Sequence, residues 1–325
     1  MSPQISQYQQ WLEQEIKKQK FGKDPVSLYE PIRYLMALGG KRLRPMFTLL
    51  AYSLFREDAK RMVPYALAVE SFHNFTLMHD DIMDKAPLRR GKMTVHEKWN
   101  TNTAILSGDV MLIKVYDMFL GLDASQLKSI LAAFNSCAAK VCEGQQWDME
   151  FETTDRVSEK QYLSMIRLKT AALLGFSLEL GAMLADTPPA DQKALREFGI
   201  NIGIGFQLKD DLLDAFADPK KFGKQVGGDI LANKKTFLLI KALEKAKGKT
   251  KKELAYWLTT KKFKGREKIQ AVKQIYNTLA IPSIVDRKVN FFFRKGFENL
   301  DKAGGDNSRK EMLKQYTRAL IERQS

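Results

Sequence analysis

The pattern D-D-x-x-D occurs twice in this chain, as Asp80-Asp81-Ile82-Met83-Asp84 and as Asp210-Asp211-Leu212-Leu213-Asp214. Residues i and i+4 of an α-helix lie one above the other on the same face. Asp80 and Asp84 then form one aligned carboxylate pair, and Asp210 and Asp214 a second. Four carboxylates repel strongly unless something cationic sits between them. Mg²⁺, a hard cation, takes one or two carboxylates together with substrate phosphates. The expectation is two carboxylate pairs facing each other across a cavity, holding Mg²⁺ that in turn holds a diphosphate. A single acidic pair at a helix end is ordinarily solvated surface. Here both copies follow apolar segments, residues 72–78 and 202–208, where charge is rarely buried without partners. The duplication favours the metal.

Basic clusters accompany the acids. Gly39-Gly40-Lys41-Arg42-Leu43-Arg44-Pro45 joins two expected helices. Its glycines permit a sharp turn, and Lys41 and Arg44 offer charge and planar donors to phosphate oxygens. Arg89-Arg90-Gly91 follows the first acidic motif. Phe222-Gly223-Lys224 and Gly227-Gly228-Asp229, then Lys234, follow the second. A layer of acid, metal, phosphate and base neutralises a diphosphate from both sides.

These groups need elements to hold them. The chain has 325 residues, 44% of them hydrophobic, enough for a sizeable core. Apolar periodicity of 3.6 runs from end to end and no alternating strand is found, so the fold class is all-α. No Ser- or Pro-rich linker appears, and one domain over residues 1–325 is expected, a bundle of long helices around a central cavity. Residues 5–20 read as an amphipathic helix, and Pro25 and Pro31 as breaks. Pro45 starts the next helix, and Pro64 sits in the first turn of one running to Asp84. Asn102 and Ser125 are candidate caps. Ser158 with Gln161 makes a capping box before a long helix to about residue 185, and Pro188-Pro189 precede a helix over about 191–216. Four or five helices fill the last third. Gly203 and Gly205, inside a helical pattern, imply close packing or ligand approach.

The bulk numbers exclude other classes. No apolar run is long enough to span a bilayer, and the N-terminus lacks a signal-peptide core. The only cysteines, Cys137 and Cys142, form no C-x-x-C pair, which fits a reducing cytoplasm and argues against a disulfide framework or zinc. The net charge is +15. Residues 241–325 hold 22 Lys/Arg against 9 Asp/Glu, beyond both acidic motifs. That excess reads first as a solvated basic surface and second as weak membrane-surface attraction. Nucleic acid would leave the placed aspartates unexplained.

In family order, G-G-K-R-L-R-P, H-D-D-I-M-D followed by L-R-R-G, the pair Lys169-Thr170, and F-Q-L-K-D-D-L-L-D followed by G-K resemble the trans-isoprenyl diphosphate synthases, or polyprenyl synthetases. The resemblance spans about residues 35–240. It implies the isoprenoid synthase type of all-α fold. It also implies condensation of isopentenyl diphosphate with an allylic diphosphate, three Mg²⁺ per site and a homodimer. By motif position, Asp80 and Asp84 resemble ligands of two Mg²⁺ and Asp210 that of the third, with Asp214 in support. Arg89, Lys169, Gln207, Lys224 and Lys234 resemble the grip on the allylic diphosphate. Lys41, Arg44, His73 and Arg90 resemble the isopentenyl diphosphate site. Thr170 and Gln207 offer oxygens to a developing allylic cation. For His73 the residues alone favour an ordinary core histidine, and only the resemblance gives it a role. His79 and His96 are unassigned, and Asp81 and Asp211 point elsewhere on their helices as supporting groups.

Product length would be set beside the helix of Asp80. Phe75 lies five residues earlier, about 7.5 Å along the axis, next to the small Thr76. In the resembling family that combination goes with short products, often C20. The expected product is geranylgeranyl diphosphate, with farnesyl diphosphate second and a longer chain third. A class I terpene cyclase would replace the second acidic motif, and a non-catalytic partner subunit would lose acidic motifs. This chain keeps both.

Overall fold

The computed structural model describes residues 3–217 and 226–322, so Lys224, with Phe222 and Gly223, lies outside the described residues. The fold is all-α, as expected. Its contacts gather into two compact units. One comprises Met1–Ala138, Leu173–Gly199 and Asn299–Arg318; the other comprises Ala139–Ala172, Ile200–Glu298 and Ala319–Ser325.

The first unit opens with α1 (Pro3–Lys18), which buries Ile5, Tyr8, Leu12 and Ile16, one stripe at helical spacing. Next come α2 (Val26–Ala37), α3 (Leu43–Ser53) and α4 (Val63–Met83). Pro64 stands in the first turn of α4, as expected. Pro31 does not break the chain: it lies inside α2 with its ring buried, so apolar burial offsets the one backbone bond a proline removes. A hairpin the periodicity did not reveal follows α4. Its strands β1 (Leu88–Arg89) and β2 (Lys92–Met93) pair antiparallel, each too short to show alternation. The short α5 (Val95–Lys98) leads to α6 (Thr101–Phe119). The cap of α6 is Asn100, not Asn102: its side chain accepts from the Thr103 N–H at 2.8 Å. In the core, Phe47 is fully buried and meets Phe198 and Tyr316 edge-on, with ring centroids 6.5 and 5.7 Å away. Burying such a ring contributes about 1.5–3 kcal/mol.

The helices that contribute residues to both units include α7 (Ala124–Thr153), in whose first turn Ser125 stands, and α10 (Pro189–Phe216). Between them the expected single helix is divided. It starts at the predicted capping box of Ser158 and Gln161 as α8 (Glu159–Ile166). It widens into a π-helical turn over Arg167–Ala171 and resumes as α9 (Ala172–Leu184), buried nearly all round. Periodicity cannot distinguish one inserted residue per turn from a continuous helix, and π-turns recur at functional sites.

The second unit continues with α11 (Gly228–Leu231), α12 (Phe237–Lys245), α13 (Gly248–Thr259) and α14 (Gly265–Thr278). The chain ends with α15 (Ile281–Lys302) and α16 (Asn307–Glu322). Gly205 answers to packing: a Cβ there would stand 2.3 Å from the Phe293 ring. Among the described residues no helix is long and apolar enough to cross a membrane.

Candidate active site

In the first unit the acidic motif closes α4. The Asp84 N–H donates to the Asp80 carbonyl at 2.8 Å, so the two residues are one helical turn apart, as their spacing predicts. Asp80 is half-buried and Asp84 exposed. Asp81 is buried and faces another way. Its carboxylate accepts two hydrogen bonds from Arg89, from Nε at 2.8 Å and Nη2 at 2.7 Å. This bidentate pair ties the hairpin to the end of α4 and fixes the Arg89 side chain.

The glycine loop stands beside the same helix. Gly39 and Gly40 have φ of +76° and +144°, values that L side chains rarely adopt. The Arg90 guanidinium donates to the Gly39 carbonyl. Arg42 is spent on structure: its Nη1 donates to the buried Glu70 at 2.8 Å, its Nε to Glu13 at 3.2 Å and its Nη2 to the Met36 carbonyl at 2.7 Å. Lys41, Arg44 and Arg90 differ, making no ion pair among the described residues. Arg44 Nη1 lies 3.1 Å from His73 Nε2. A guanidinium cannot accept, so His73 Nε2 accepts and its ring proton sits on Nδ1. Burial, then the charges of Arg44, Arg90, Arg89 and Arg42, hold the His73 pKa well below its ordinary value. His73 is therefore a neutral acceptor that aims a cation. The buried Arg44 Nε has no hydrogen-bond partner. Lys41, Arg44 and Arg90 together supply positive charge suited to an anion rich in oxygen.

Phe75 lies on α4 between Phe72 and His79, with ring centroids 5.6 and 4.8 Å away. It packs against the core cluster that contains Met78, Ala104 and Met111. The Thr76 hydroxyl is turned to its own helix, donating to the His73 carbonyl at 2.8 Å.

In the second unit a cleft of about 230 Å³ gathers Lys169, Thr170, Gln207, Asp210, Asp214 and Lys234 with three groups to which the sequence reading assigned no role: Asp148, Tyr162 and Asp229. The π-turn presents Lys169 and Thr170. Gly144 of α7 lets it approach, since a Cβ there would stand 2.2 Å from the Lys169 backbone nitrogen. Lys169 Nζ reaches Asp148 at 2.5 Å and Lys234 Nζ reaches the same oxygen at 3.4 Å. Burial pushes the Asp148 carboxyl up, but Lys234 and Lys169 outweigh it and hold it below the usual range. Asp148 thus keeps two ammonium groups side by side, where they would otherwise repel.

A hydrogen-bonded chain crosses the cleft wall. The Thr170 hydroxyl donates to Gln207 Oε1 at 3.1 Å, and Gln207 Nε2 donates to Asp211 Oδ1 at 3.0 Å. The Tyr162 hydroxyl donates to Asp211 Oδ2. Asp211 is thus the supporting group expected of it: it orients the Gln207 amide, which orients Thr170. Burial, then Asp229, push the Asp211 carboxyl up to about 7. Asp229 rises to about 6, through burial and then Asp214. The Asp229 N–H donates to Asp214 Oδ2 at 3.0 Å, which binds the glycine turn to the motif. Five carboxylates against two lysines leave an acidic excess that suits a hard cation. Among the described residues no three His, Cys, Asp or Glu side chains are arranged to hold a metal ion unaided. Phosphate oxygens completing the shell is the ordinary arrangement for Mg²⁺.

Asp148 gave no sequence signal, being one acid on a helix with many polar positions. Asp229 was visible in Gly-Gly-Asp but had no partner in sequence. The Tyr162 phenol faces a carboxylate 49 residues away, and no local pattern reports that.

The family model for polyprenyl synthetase matches residues 25–279. The chain belongs to the polyprenyl synthetase family. Its relatives include a geranylgeranyl pyrophosphate synthase of Geoglobus acetivorans, 44% identical over 68% of this chain and 70% of that protein. A short chain isoprenyl diphosphate synthase of Methanocaldococcus jannaschii is 42% identical over 76% of this chain and 75% of the relative. A crystal structure of a geranylgeranyl pyrophosphate synthase superimposes with a TM-score of 0.94 at 40% identity, covering 100% of both chains. Polyprenyl synthetase membership accounts for the order of the motifs and for the all-α fold that carries them.

Proposed function

We propose that this prenyltransferase condenses isopentenyl diphosphate with allylic diphosphates (dimethylallyl, geranyl and farnesyl) to all-trans geranylgeranyl diphosphate. The carrying observation is that each D-D-x-x-D motif has its own set of cations, of the kind that suit phosphate, on a chain whose relatives include geranylgeranyl pyrophosphate synthases. Asp80, Asp84, Asp210 and Asp214 would hold Mg²⁺, three ions per site. When bound, Mg²⁺ supplies positive charge to the diphosphate oxygens. Arg89, Lys169, Lys224 and Lys234 bind the allylic diphosphate and stabilise its charge as the carbon–oxygen bond breaks. Thr170 and Gln207 turn side-chain oxygens toward the allylic cation. Lys41, Arg44 and Arg90, with His73 aiming Arg44, bind isopentenyl diphosphate so that its double bond attacks that cation. One carbon–carbon bond forms, one proton is lost, and the departing diphosphate accepts it, so no side-chain base is required. Both units serve one catalytic domain.

Phe75 beside Thr76 forms the floor that stops growth at C20. We also propose a homodimer. Ile105, Leu106, Ile113 and Leu120 of α6 and its C-terminal end are 41–64% exposed, an apolar row that water disfavours. A reducing cytoplasm suits the two free cysteines.

The test is to incubate pure protein with isopentenyl diphosphate and each allylic primer and to size the products. C20 is expected. Phe75→Ala should add one or more C5 units. An active, folded variant with an unchanged product distribution would remove Phe75 as the floor, and C15 from the unmodified enzyme would replace geranylgeranyl by farnesyl diphosphate.

A further inference from the structure

The cationic excess of the last third is concentrated. Residues 245–268 hold ten Lys/Arg and two acids. Lys249, Lys252 and Tyr256 recur on α13 at i, i+3 and i+7, one face of the helix. The turn after α13 adds Lys261, Lys262, Phe263 and Lys264, all exposed. Two aromatic rings stand among these charges: Tyr256 is 57% exposed and Phe263 39%.

Two features separate this surface from an ordinary solvated face. Elsewhere in the last third several surface cations are paired, as in Lys241–Glu244 at 2.6 Å and Arg294–Glu298 at 3.0 Å. Lys249, Lys251, Lys252, Lys261 and Lys262 make no ion pair among the described residues, so their potential is not cancelled locally. An exposed ring also gains nothing from bulk water. It gains at a bilayer interface, where amphipathic rings sit at headgroup level.

We propose that α13 and the turn after it dock this enzyme on an anionic lipid surface. The lysines meet headgroup phosphates, and Tyr256 and Phe263 enter the interface. Basic residues attract the surface within a Debye length, and aromatic residues add buried area. The choice of lipid over nucleic acid rests on the proposed reaction, whose product carries a long apolar tail and itself partitions into bilayers.

The experiment needs no turnover, so its failure is distinct from failure of the proposed reaction. The full chain is sedimented with phosphatidylcholine vesicles with and without phosphatidylglycerol. Binding is expected only with the anionic lipid and should fall as salt rises. Charge reversal at Lys249, Lys252, Lys261 and Lys262 to Glu should weaken partitioning more than about tenfold, with thermal melting and solution turnover unchanged. Tyr256→Ser with Phe263→Ser should weaken it less and retain the salt dependence. Absence of vesicle binding by the unmodified chain, equal binding by the reversal variant, or displacement from anionic vesicles by equimolar duplex DNA would each overturn the proposal.

Discussion

The two acidic motifs share a sequence and differ in how their middle aspartates are held. Asp81 is buried against a guanidinium, which returns a full countercharge through two hydrogen bonds. Asp211 is buried against a phenol and an amide, which return hydrogen bonds but no charge. The first arrangement fixes Arg89, the cation that the proposed reaction assigns to the allylic diphosphate. The second fixes a neutral pair, Gln207 and Thr170, which the proposed reaction turns toward the allylic carbocation, where a cationic side chain would repel it. Under that proposal the same motif serves phosphate at one end and carbocation at the other, with the buried neighbour making the difference.

The outer aspartates test whether the motifs are alike where metal is concerned. Asp80→Ala and Asp210→Ala should each lower turnover by orders of magnitude in folded protein. EDTA should abolish turnover of the unmodified enzyme and Mg²⁺ restore it. Normal turnover in either variant would break the symmetry and the metal assignment with it.

A smaller effect separates the basic sets. Lys41→Ala or Arg44→Ala should raise the apparent KM for isopentenyl diphosphate about tenfold or more, since each charge-assisted bond to phosphate contributes about 1.5–3 kcal/mol. Lys169→Ala should act mainly on the allylic substrate. Steady-state kinetics with each substrate varied in turn would show the reverse pattern if the two sites are interchanged.

The smallest effect bears on the middle aspartates. Asp81→Asn should cost about 1.5–3 kcal/mol by stranding Arg89, whereas Asp211→Asn keeps one oxygen to accept from Gln207 and gains an N–H that can donate to the Tyr162 hydroxyl oxygen, and should cost less. pH sharpens the contrast. In metal-free protein the Asp211 carboxyl stands at about 7, against about 3.9 in an unfolded chain. Between those values the folded state retains a proton that the unfolded state has released. Stability from this group is therefore present at low pH, is lost as pH rises from about 4 to about 7, and is flat above. Denaturant midpoints across that range should fall with pH and flatten in Asp211→Asn. An identical slope in that variant would assign the effect elsewhere, with Asp229, at about 6, the next group to test.

Much of this was legible because it is local. The one-turn offset of Asp80 and Asp84, the capping box at Ser158 and Pro64 in a first turn depend on neighbours within four residues, and backbone geometry fixes such relations wherever a helix forms. Motif order sufficed for the family. Tertiary structure alone decided which groups complete each site. Arg89 meets Asp81 only through a hairpin with two-residue strands. Asp148 joins Lys169 and Lys234 across 21 and 86 residues, and Tyr162 meets Asp211 across 49. Even the turn that presents Lys169 and Thr170 departs from the regular helix their periodicity predicts. The physical reason is that a buried polar group must find a partner wherever packing brings one, and packing is settled by the whole chain, not by the spacing of its residues.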